Sequence, residues 1–268
     1  MKVVLFCGGL GLRMREESVR LPKPMIPLSE RPILWHIMKY YSDFGFREFI
    51  LCLGYKAEVI KEYFLNYNEA LVNDFVLKDG GRRVELLGSD THDWSMTFVN
   101  TGLNSSIGER LRHVQQYLDG DETFLATYGD GLTDAPLHDM IDTLARSDKA
   151  ALFLCVRPTH QFHVVSLTEG NGVNAIRNVA DADLWINGGF FVFRRELFDY
   201  LGPGEDLVEA AFSRLIAEEK VLAYPYEGFW APMDTLKDKQ LLETLLEAGD
   251  PPWARPRGAV LPDAAPPA

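Results

Sequence analysis

Apolar runs of strand length alternate with stretches of helical periodicity along the first 156 residues, and this alternation constrains the fold more than any other feature. The predicted helices repeat apolar residues three and four positions apart; they are Ile33–Phe44, Ala57–Tyr67, Gly108–Leu118 and Pro136–Ala145. The predicted strands are Lys2–Cys7, Glu48–Leu53, Thr97–Asn100, Thr123–Thr127 and Ala150–Val156. This order predicts an α/β fold in which a mostly parallel sheet is flanked by helices on both faces.

The second half of the chain is less regular, and its predicted elements are more scattered. The predicted strands are Val164–Leu167, Val173–Ile176, Trp185–Phe193 and Val221–Tyr224, and the predicted helices are Leu207–Glu218 and Thr235–Ala248. We predict one domain over residues 1–249 and a proline-rich tail over residues 250–268. Because proline opposes regular packing, the tail is expected to form no regular element and to be partly disordered from about Gly258.

The charge balance narrows the class of partner. Of 268 residues, 27 are Lys or Arg and 39 are Asp or Glu, which gives a formal net charge of −12. Broad binding to nucleic-acid phosphates requires a basic surface, so nucleic acid is not an expected partner, whereas one phosphorylated small molecule needs only a few converging cations.

No apolar run reaches the roughly 18 residues that span a bilayer, and residues 1–10 begin as a strand, so no membrane association is expected.

The cysteine pattern indicates free thiols. Cys7, Cys52 and Cys155 are far apart, lie in apolar runs and form no CxxC pair, so neither a zinc site nor a disulfide framework is expected. The histidines likewise show no metal-ligand spacing. Buried free thiols are typical of a reducing compartment, and we expect the protein to be cytoplasmic.

Three glycines and an arginine follow the first predicted strand, at Gly8, Gly9, Gly11 and Arg13. Glycines let the backbone turn sharply and bring N–H groups against a phosphate chain, and an arginine can bind phosphate oxygens through two hydrogen bonds. A plain strand-to-helix turn would also contain glycine, so the loop alone leaves both interpretations open. The spacing fits neither a Walker loop nor the glycine fingerprint of dinucleotide-binding proteins.

A lysine between two prolines lies ten residues beyond this loop. Pro22 and Pro24 restrict the backbone around Lys23, so its ammonium group can be held in place at a small entropic cost. Taken alone, Lys23 would be interpreted as an exposed loop residue. Two cations beside a glycine loop instead favour a bound triphosphate whose leaving group needs charge neutralisation.

Two aspartates are candidate metal ligands. Asp130 follows the strand Thr123–Thr127 and is flanked by glycines, which places it at the carboxyl edge of a parallel sheet, where ligands bind. Asp234 precedes the helix Thr235–Ala248, and from the residues alone a role as helix N-cap is favoured for it. Mg²⁺ binds carboxylates, substrate phosphates and water, and therefore needs no larger cluster of protein ligands.

Seven sequence blocks together resemble one family. In chain order they are Gly8-Gly-x-Gly-x-Arg13, Pro22-Lys-Pro-Met25, Pro32-Ile-Leu-Trp-His-Ile-Met38, Tyr128-Gly-Asp-Gly-Leu132, Trp185-Ile-Asn-Gly-Gly-Phe-Phe-Val192, Gly228-Phe-Trp230 and Met233-Asp-Thr-Leu236. Over about residues 1–253 the chain is similar to the nucleotidyltransferases that activate sugar 1-phosphates, and within that family to its cytidylyltransferases. The blocks in this order are far more specific than any one of them.

The resemblance implies a Rossmann-like nucleotide-binding sheet over about residues 1–156, with an added sugar-binding β/α part over about residues 157–249. It implies that a nucleoside triphosphate, CTP above all, and a sugar 1-phosphate such as glucose 1-phosphate react to give a nucleotide sugar and pyrophosphate. It also implies that Mg²⁺ is bound by Asp130 and Asp234, and that the chain forms a homo-oligomer.

The resemblance assigns candidate residues to three further roles. The catalytic candidates are Arg13, Lys23 and Asp130. The nucleotide-binding candidates are Gly8, Gly9, Gly11, Arg13, Lys23, Thr101, Gly102, Arg110 and Gly129. The sugar-binding candidates are Tyr128, Arg177, Asn187, Gly188 and Gly189. A sugar 1-phosphate is already an anion at pH 7, so the chemistry needs charge neutralisation rather than a general base.

The chain departs from the family pattern mainly on the sugar side. Arg177-Asn178-Val179 stands where the family has Glu-Lys-Pro, and Gln161-Phe162-His163 where it has Arg-Phe-Gly. Elsewhere, Leu12 replaces a threonine of the opening loop. The segment that resembles the family's base-recognition segment, Thr97–Gly102 followed by Asn104–Arg110, differs from it at Asn100, Ile107 and Glu109. We hypothesise that transfer is retained and that the acceptor differs from plain glucose 1-phosphate. Two alternatives stay open: the same fold with dTTP or UTP, and a catalytically weak nucleotide-binding regulatory protein.

Overall fold

The computed structural model describes residues 1–9, 21–88, 91, 93–158, 162–179, 182–255 and 258. Within these ranges the strands, numbered in chain order, are β1 Val3–Phe6, β2 Pro27–Leu28, β3 Arg31–Pro32, β4 Glu48–Leu53, β5 Phe75–Lys78, β6 Arg83–Leu86, β7 Ser95–Asn100, β8 Thr123–Tyr128, β9 Gly131–Thr133, β10 Ala151–Val156, β11 His163–Leu167, β12 Val173–Asn178, β13 Ile186–Arg194, β14 Val221–Tyr226 and β15 Trp230–Pro232. The α-helices are α1 Ile33–Asp43, α2 Ala57–Leu65, α3 Ile107–Val114, α4 Leu137–Ala145, α5 Ser213–Ala217 and α6 Leu236–Glu247.

One large sheet in the described ranges contains seven strands, in the order β14-β10-β13-β8-β1-β4-β7. Strand β1 pairs parallel with β4 and β8, β4 with β7, and β10 with β14. Strand β13 runs antiparallel to both of its neighbours, β8 and β10. The prediction of a mostly parallel sheet flanked by helices is confirmed. Because β1, β4, β7 and β8 run in one direction, their carboxyl ends meet at one edge.

Both faces of the sheet are buried. In β1, Val3 and Leu5 belong to one apolar core together with residues of α1, whereas Val4 and Phe6 belong to a second core together with residues of α3. Successive side chains of a strand point to opposite faces, so a strand that is apolar at every position has to be covered on both sides. The central strands are therefore held rigidly beneath the edge at which they end.

A short ladder at this edge joins two distant segments of the chain. Strand β9, which follows β8, pairs antiparallel with β15 and sets Gly131 opposite Pro232. Asp134, just after β9, accepts hydrogen bonds from the Tyr226 hydroxyl at 2.5 Å and from the Phe229 backbone N–H at 2.7 Å. Each strand has three residues, too few for hydrophobic periodicity, and the sequence therefore did not predict the ladder.

Three hairpins lie outside the large sheet within the described ranges: β2–β3, β5–β6 and β11–β12. Only β11–β12 coincides with two predicted strands. One face of β5–β6 carries the cross-strand pairs Phe75 with Leu86 and Leu77 with Val84. Phe75, Leu77 and Val84 are 42%, 58% and 49% exposed, so this apolar face is open in the single chain.

The start of the proline-rich tail differs from its prediction. Residues Pro252–Ala254 form a 3₁₀-helix, and Trp253 is buried against His36 and Phe229. The prediction failed here because the gain from burying one large aromatic side chain outweighs the weak helical tendency of its proline neighbours. Residues 256–257 and 259–268, and with them the disorder expected beyond Gly258, lie outside the described residues.

A smaller difference concerns the type of one helix, whereas the cysteines are as predicted. The predicted helix Leu207–Glu218 is a π-helix over Leu207–Phe212 that continues as α5. All three cysteines are buried and free, as their spacing predicted. Among the described residues, no helix combines the length and the apolar character needed to cross a membrane.

Candidate functional site

A cavity of about 530 Å³ opens at the edge where β1 and β8 end. Its walls come from segments that are far apart in the sequence. The lining residues are Phe6, Gly8, Gly9, Lys23, Pro24, Ser105, Ser106, Ile107, Arg110, Tyr128, Gly129, Asp130, Asp206 and Asp234. Open α/β sheets bind ligands at the carboxyl ends of their strands, which makes this cavity the candidate site.

Lys23 connects the two candidate metal ligands. Its ammonium nitrogen lies 2.6 Å from Oδ2 of Asp130 and 2.5 Å from Oδ1 of Asp234. The lysine side chain is only 11% exposed, so water screens these two ion pairs weakly. Both carboxylates therefore face a single cationic position inside the cavity.

The start of α6 explains why Asp234 is available to the cavity. Thr235 is the N-cap of α6: its hydroxyl oxygen accepts a hydrogen bond from the Asp238 N–H, while the Asp238 carboxylate accepts one from the Thr235 N–H. The N-cap role that the residues alone favoured for Asp234 is therefore wrong. The reciprocal cap satisfies the helix end one residue later, and the Asp234 carboxylate pairs with Lys23 instead.

The charge state of Lys23 follows from this environment. Burial by itself would lower the pKa of the Lys23 ammonium group, but the carboxylates of Asp130 and Asp234 more than offset burial and raise the pKa above its ordinary value. Lys23 is therefore a cation at neutral pH. A position that holds a buried cation between two carboxylates is suited to a charge-neutralising role toward phosphates.

The glycine loop rests on Arg110. This side chain is 3% exposed, and it donates hydrogen bonds to the carbonyl oxygens of Gly8 at 3.2 Å and Leu53 at 3.3 Å, and to the Thr101 hydroxyl at 2.7 Å. A Cβ added to Gly8 would lie 2.0 Å from Nη1 of Arg110, so the guanidinium can lie against the loop only because residue 8 is glycine. Arg110 thus organises the loop, and its predicted contact with the nucleotide stays a prediction.

Thr101 and Gly102 lie next to this arrangement but not in the cavity wall. The Thr101 hydroxyl donates to the Leu53 carbonyl oxygen at 2.8 Å, and the Gly102 N–H donates to Oδ1 of Asn100 at 3.2 Å. Neither residue lines the cavity. Their described contacts support the loop, and their predicted roles in nucleotide binding stay predictions.

The predicted sugar-binding residues lie in two places. The Tyr128 ring lies against Gly189, where an added Cβ would lie 2.4 Å from its Cδ2, and Asn187 Oδ1 accepts a hydrogen bond from the Gly189 N–H at 2.8 Å. The Gly188 carbonyl oxygen accepts one from the Trp230 indole at 2.8 Å. Of this group, Tyr128 lines the cavity. Burial, together with the carboxylates of Asp206 and Asp130, raises the Tyr128 pKa to about 12, so its hydroxyl remains protonated.

Arg177 is placed differently from the rest of the sugar-binding candidates. It lies exposed on β12, opposite Val164, and does not line the cavity. A second arginine in this half of the chain, Arg157, was not singled out from the sequence. Its guanidinium lies 4.1 Å from the centre of the Trp185 ring and pairs with Asp183 at 3.0 Å. The idea that Arg177 takes over the phosphate-binding role of the family lysine therefore stays a prediction.

The structure describes only some of the predicted phosphate-binding residues. Gly8, Gly9 and Gly129 line the cavity, and their predicted contacts with a phosphate chain stay predictions. Gly11 and Arg13 lie outside the described residues, and their predicted roles stay predictions.

Six residues of the cavity wall were not among the candidate site residues from the sequence: Phe6, Pro24, Ser105, Ser106, Ile107 and Asp206. Ser106 opens α3 in a capping box with Glu109, a pattern that the sequence could have revealed but that carries no information about a ligand. Asp206 caps the π-helix through backbone hydrogen bonds, and no local pattern points from it to the cavity.

Comparison with known proteins gives results consistent with this geometry. The chain matches the family model described as nucleotidyl transferase over residues 2–245. It is 39% identical over 255 residues to the glucose-1-phosphate cytidylyltransferase of Salmonella typhimurium, with 94% of this chain and 98% of that protein covered. The glucose-1-phosphate cytidylyltransferase of Salmonella typhi matches with the same identity and coverage.

A solved structure extends the likeness to three dimensions. The UTP-bound UGPase from Acinetobacter baumannii superimposes with a TM-score of 0.68, at 20% sequence identity, and covers 94% of this chain and 95% of that one. At this identity the likeness concerns the fold alone.

Proposed function

This chain belongs to the nucleotidyl transferase family, and on that basis we propose that it transfers a cytidylyl group from CTP to glucose 1-phosphate, with release of pyrophosphate. The observation that carries the proposal is the meeting of Lys23, Asp130 and Asp234 in one cavity, in a chain that aligns with glucose-1-phosphate cytidylyltransferases over nearly its whole length.

The proposed step is an in-line displacement at the α-phosphorus of CTP. A phosphate oxygen of glucose 1-phosphate forms the new bond, and the bond from the α-phosphorus to the oxygen that bridges it to the β-phosphorus breaks, so that pyrophosphate leaves with the electron pair. The attacking phosphate is already an anion, and no side chain has to remove a proton. The barrier is charge repulsion, which the Lys23 ammonium group lowers by binding phosphate oxygens.

We propose Mg²⁺ as the metal, with Asp130 and Asp234 as its protein ligands. The residues fit this ion because both direct a carboxylate oxygen at one cationic position, now taken by the Lys23 ammonium group. A bound Mg²⁺ would supply further neutralisation of the phosphate charge. Lys23 would then exchange its carboxylate partners for phosphate oxygens.

A second acceptor is favoured by one observation. Arg177, the residue at the position of the family's lysine, lies exposed on β12 and outside the cavity wall. Because this departure and the Gln161-Phe162-His163 segment both lie on the sugar side of the chain, an acceptor related to glucose 1-phosphate is the second candidate. The transfer chemistry is the same in both cases.

A matrix of substrates tests these proposals. CTP, UTP and dTTP are each combined with glucose 1-phosphate and with other hexose 1-phosphates in the presence of Mg²⁺, and pyrophosphate release is measured. The highest kcat/KM for CTP with glucose 1-phosphate supports the main proposal, and a higher value for another hexose supports the second acceptor. Pyrophosphate release no higher than in the buffer control for every pair would favour the alternative of a catalytically weak nucleotide-binding regulatory protein.

We also propose that the protein forms a homo-oligomer in the cytoplasm. The exposed apolar face of β5–β6 supports self-association, because large open apolar patches are uncommon on isolated chains. The buried free thiols support a reducing compartment. Light scattering coupled to size-exclusion chromatography tests the first proposal: a Leu77→Glu variant is expected to elute as a smaller species than wild type.

A further inference from the structure

A third carboxylate, that of Asp206, lines the cavity and belongs to no ion pair with Lys23. Its Oδ1 accepts hydrogen bonds from the backbone N–H groups of Val208 at 2.8 Å and Glu209 at 3.3 Å. Within the described residues, both of its hydrogen bonds end on Oδ1 and none on Oδ2. One oxygen therefore fixes the side chain, and the second has acceptor capacity in a residue that faces the ligand cavity.

The backbone around Asp206 is held firmly against α3. The Ser106 hydroxyl donates to the Glu205 carbonyl oxygen at 2.7 Å, and Glu205 in turn pairs with Arg214 at 2.5 Å. A Cβ added to Gly108 would lie 2.3 Å from the Glu205 carbonyl oxygen, so this close approach requires glycine in α3. Asp206 is thus preorganised, which reduces the entropic cost of any hydrogen bond that it makes to a ligand.

The cap alone does not explain a carboxylate at this position. Serine, threonine and asparagine cap helices about as well as aspartate, and each of them uses a single oxygen for the purpose. What aspartate adds is a negative charge and a second acceptor oxygen. The charge lies at the cavity, because Asp206 is one of the residues that line it.

The sign of this charge limits which part of a substrate can lie beside it. Phosphate groups are repelled by a carboxylate, and they are attracted to the Lys23 end of the same cavity. The part of the substrates that can approach Asp206 is therefore uncharged, and a carboxylate binds such a part through its hydrogen-bond donors. Sugar hydroxyls and the amino group of cytosine are donors of this kind.

We propose that Asp206 is a specificity-determining residue that accepts a hydrogen bond from a hydroxyl or amino group of the bound substrates. The inference rests on the proposed function for the identity of those substrates. It adds a binding contact to the reaction that the sequence resemblance does not assign.

The first experiment compares Asp206→Ser and Asp206→Asn with wild type. Both variants keep an oxygen for the helix cap, and both remove the charged second acceptor. We expect the KM of one substrate to rise about 10- to 100-fold, in line with the loss of a charge-assisted hydrogen bond, while the KM of the other changes less than about 3-fold. The melting temperature should stay within about 2 °C of wild type. Glu209→Gln, which removes an exposed carboxylate from the same helix outside the cavity, is the matched control and should behave as wild type.

The second experiment identifies the donor. Wild type and Asp206→Ser are compared on 2-, 3-, 4- and 6-deoxyglucose 1-phosphate, on 2′- and 3′-deoxy-CTP and on UTP. The analogue that lacks the contacted donor should bind the two proteins equally, because the hydrogen bond is missing in either case. If the two proteins bind a deoxyglucose 1-phosphate equally well, the donor is a sugar hydroxyl. If they bind a deoxy-CTP equally well, the donor is a ribose hydroxyl. If they bind UTP equally well, the donor is the cytosine amino group.

Failure of this inference can be told apart from failure of the proposed function. Calorimetric titration of CTP and glucose 1-phosphate measures binding without turnover. If wild type binds and converts both substrates, and both Asp206 variants match it within about 3-fold on each of them, the inference is overturned while the proposed function stands. A uniform loss on every analogue together with a lower melting temperature would also overturn it, since that is the signature of a purely structural cap.

Discussion

The backbone N–H of Met233 donates a hydrogen bond of 2.7 Å to the carbonyl oxygen of Asp130. This bond extends the β9–β15 ladder by one step beyond the pairing of Gly131 with Pro232. The next residue along the chain is Asp234, so a backbone contact, independent of side-chain rotamers, sets the two carboxylates at one place. Lys23 bridges them across the cavity.

Replacing Lys23 by alanine is expected to leave the fold intact and to lower kcat by at least about 100-fold, because the variant loses the cation that neutralises phosphate charge. Pyrophosphate release measures the rate, and circular dichroism checks the fold. Lys149→Ala, which removes a lysine paired outside the cavity, is the control. Turnover within a few-fold of wild type would remove Lys23 from the catalytic role.

The same variant should respond more strongly to Mg²⁺ in the absence of substrates. Without the ammonium group, a divalent ion no longer competes with Lys23 for the carboxylate oxygens of Asp130 and Asp234. We expect Mg²⁺ to raise the melting temperature of Lys23→Ala by more than it raises that of wild type. Equal shifts in the two proteins would contradict metal binding at this pair.

Neutralising either aspartate should increase the requirement for metal. Asp130→Asn and Asp234→Asn each remove one of two anionic ligands, and we expect half-maximal activity to need at least about ten times more Mg²⁺, with a lower maximal rate. Titration of activity against Mg²⁺ measures both quantities. Asp139→Asn, which replaces an exposed aspartate in α4, should leave the titration curve unchanged. If Asp130→Asn and Asp234→Asn also leave the curve unchanged, the hypothesis fails.

Tyr226→Phe is expected to destabilise the ladder that presents Asp234. It removes one of the two described hydrogen bonds to the buried Asp134 carboxylate, at a cost of about 1–3 kcal/mol in the free energy of unfolding. Tyr200→Phe removes a comparable bond to Glu218 at the surface and should cost less than about 1 kcal/mol. Urea denaturation compares the two; equal costs would show that Asp134 does not depend on the tyrosine.

Burial of His36 predicts a loss of stability in acid. The ring is buried against Trp253, and burial lowers its pKa from 6.5 to about 4. Between these values the unfolded chain binds a proton that the folded chain does not, so stability is fully present above pH 6.5 and falls as the pH drops to about 4. The loss should approach about 3 kcal/mol.

The comparison with His36→Phe isolates this effect. Carboxylates titrate in both proteins, so only the difference between their pH profiles reports on His36. Thermal or urea denaturation at intervals from pH 7 to pH 4 should show wild type losing stability more steeply than the variant. Parallel profiles would mean that His36 has the same pKa in the folded and the unfolded state, which would contradict the lowered pKa.

The sequence was informative wherever the structure depends on local periodicity. Strand β4 has the predicted bounds, and α1 and α4 differ from theirs by one residue at an end. Asp234 was ambiguous because its role depends on a neighbouring residue. It has the residue type and position of an N-cap, and only the capping box of Thr235 with Asp238 shows that the cap lies one residue later.

By itself, then, the sequence determined the alternating α/β order, the mostly parallel sheet, and the placement of Gly8 and Asp130 at a shared edge, because hydrophobic periodicity and strand direction are local properties. Only the tertiary structure decided that Asp234 meets Lys23, that Arg110 supports Gly8, and that Asp206 faces the same cavity. These contacts join segments distant in the sequence, through a three-residue ladder and single hydrogen bonds that leave no periodic pattern behind. These contacts depend on how separate elements pack against one another, and the order of residues within a single element does not reveal that packing.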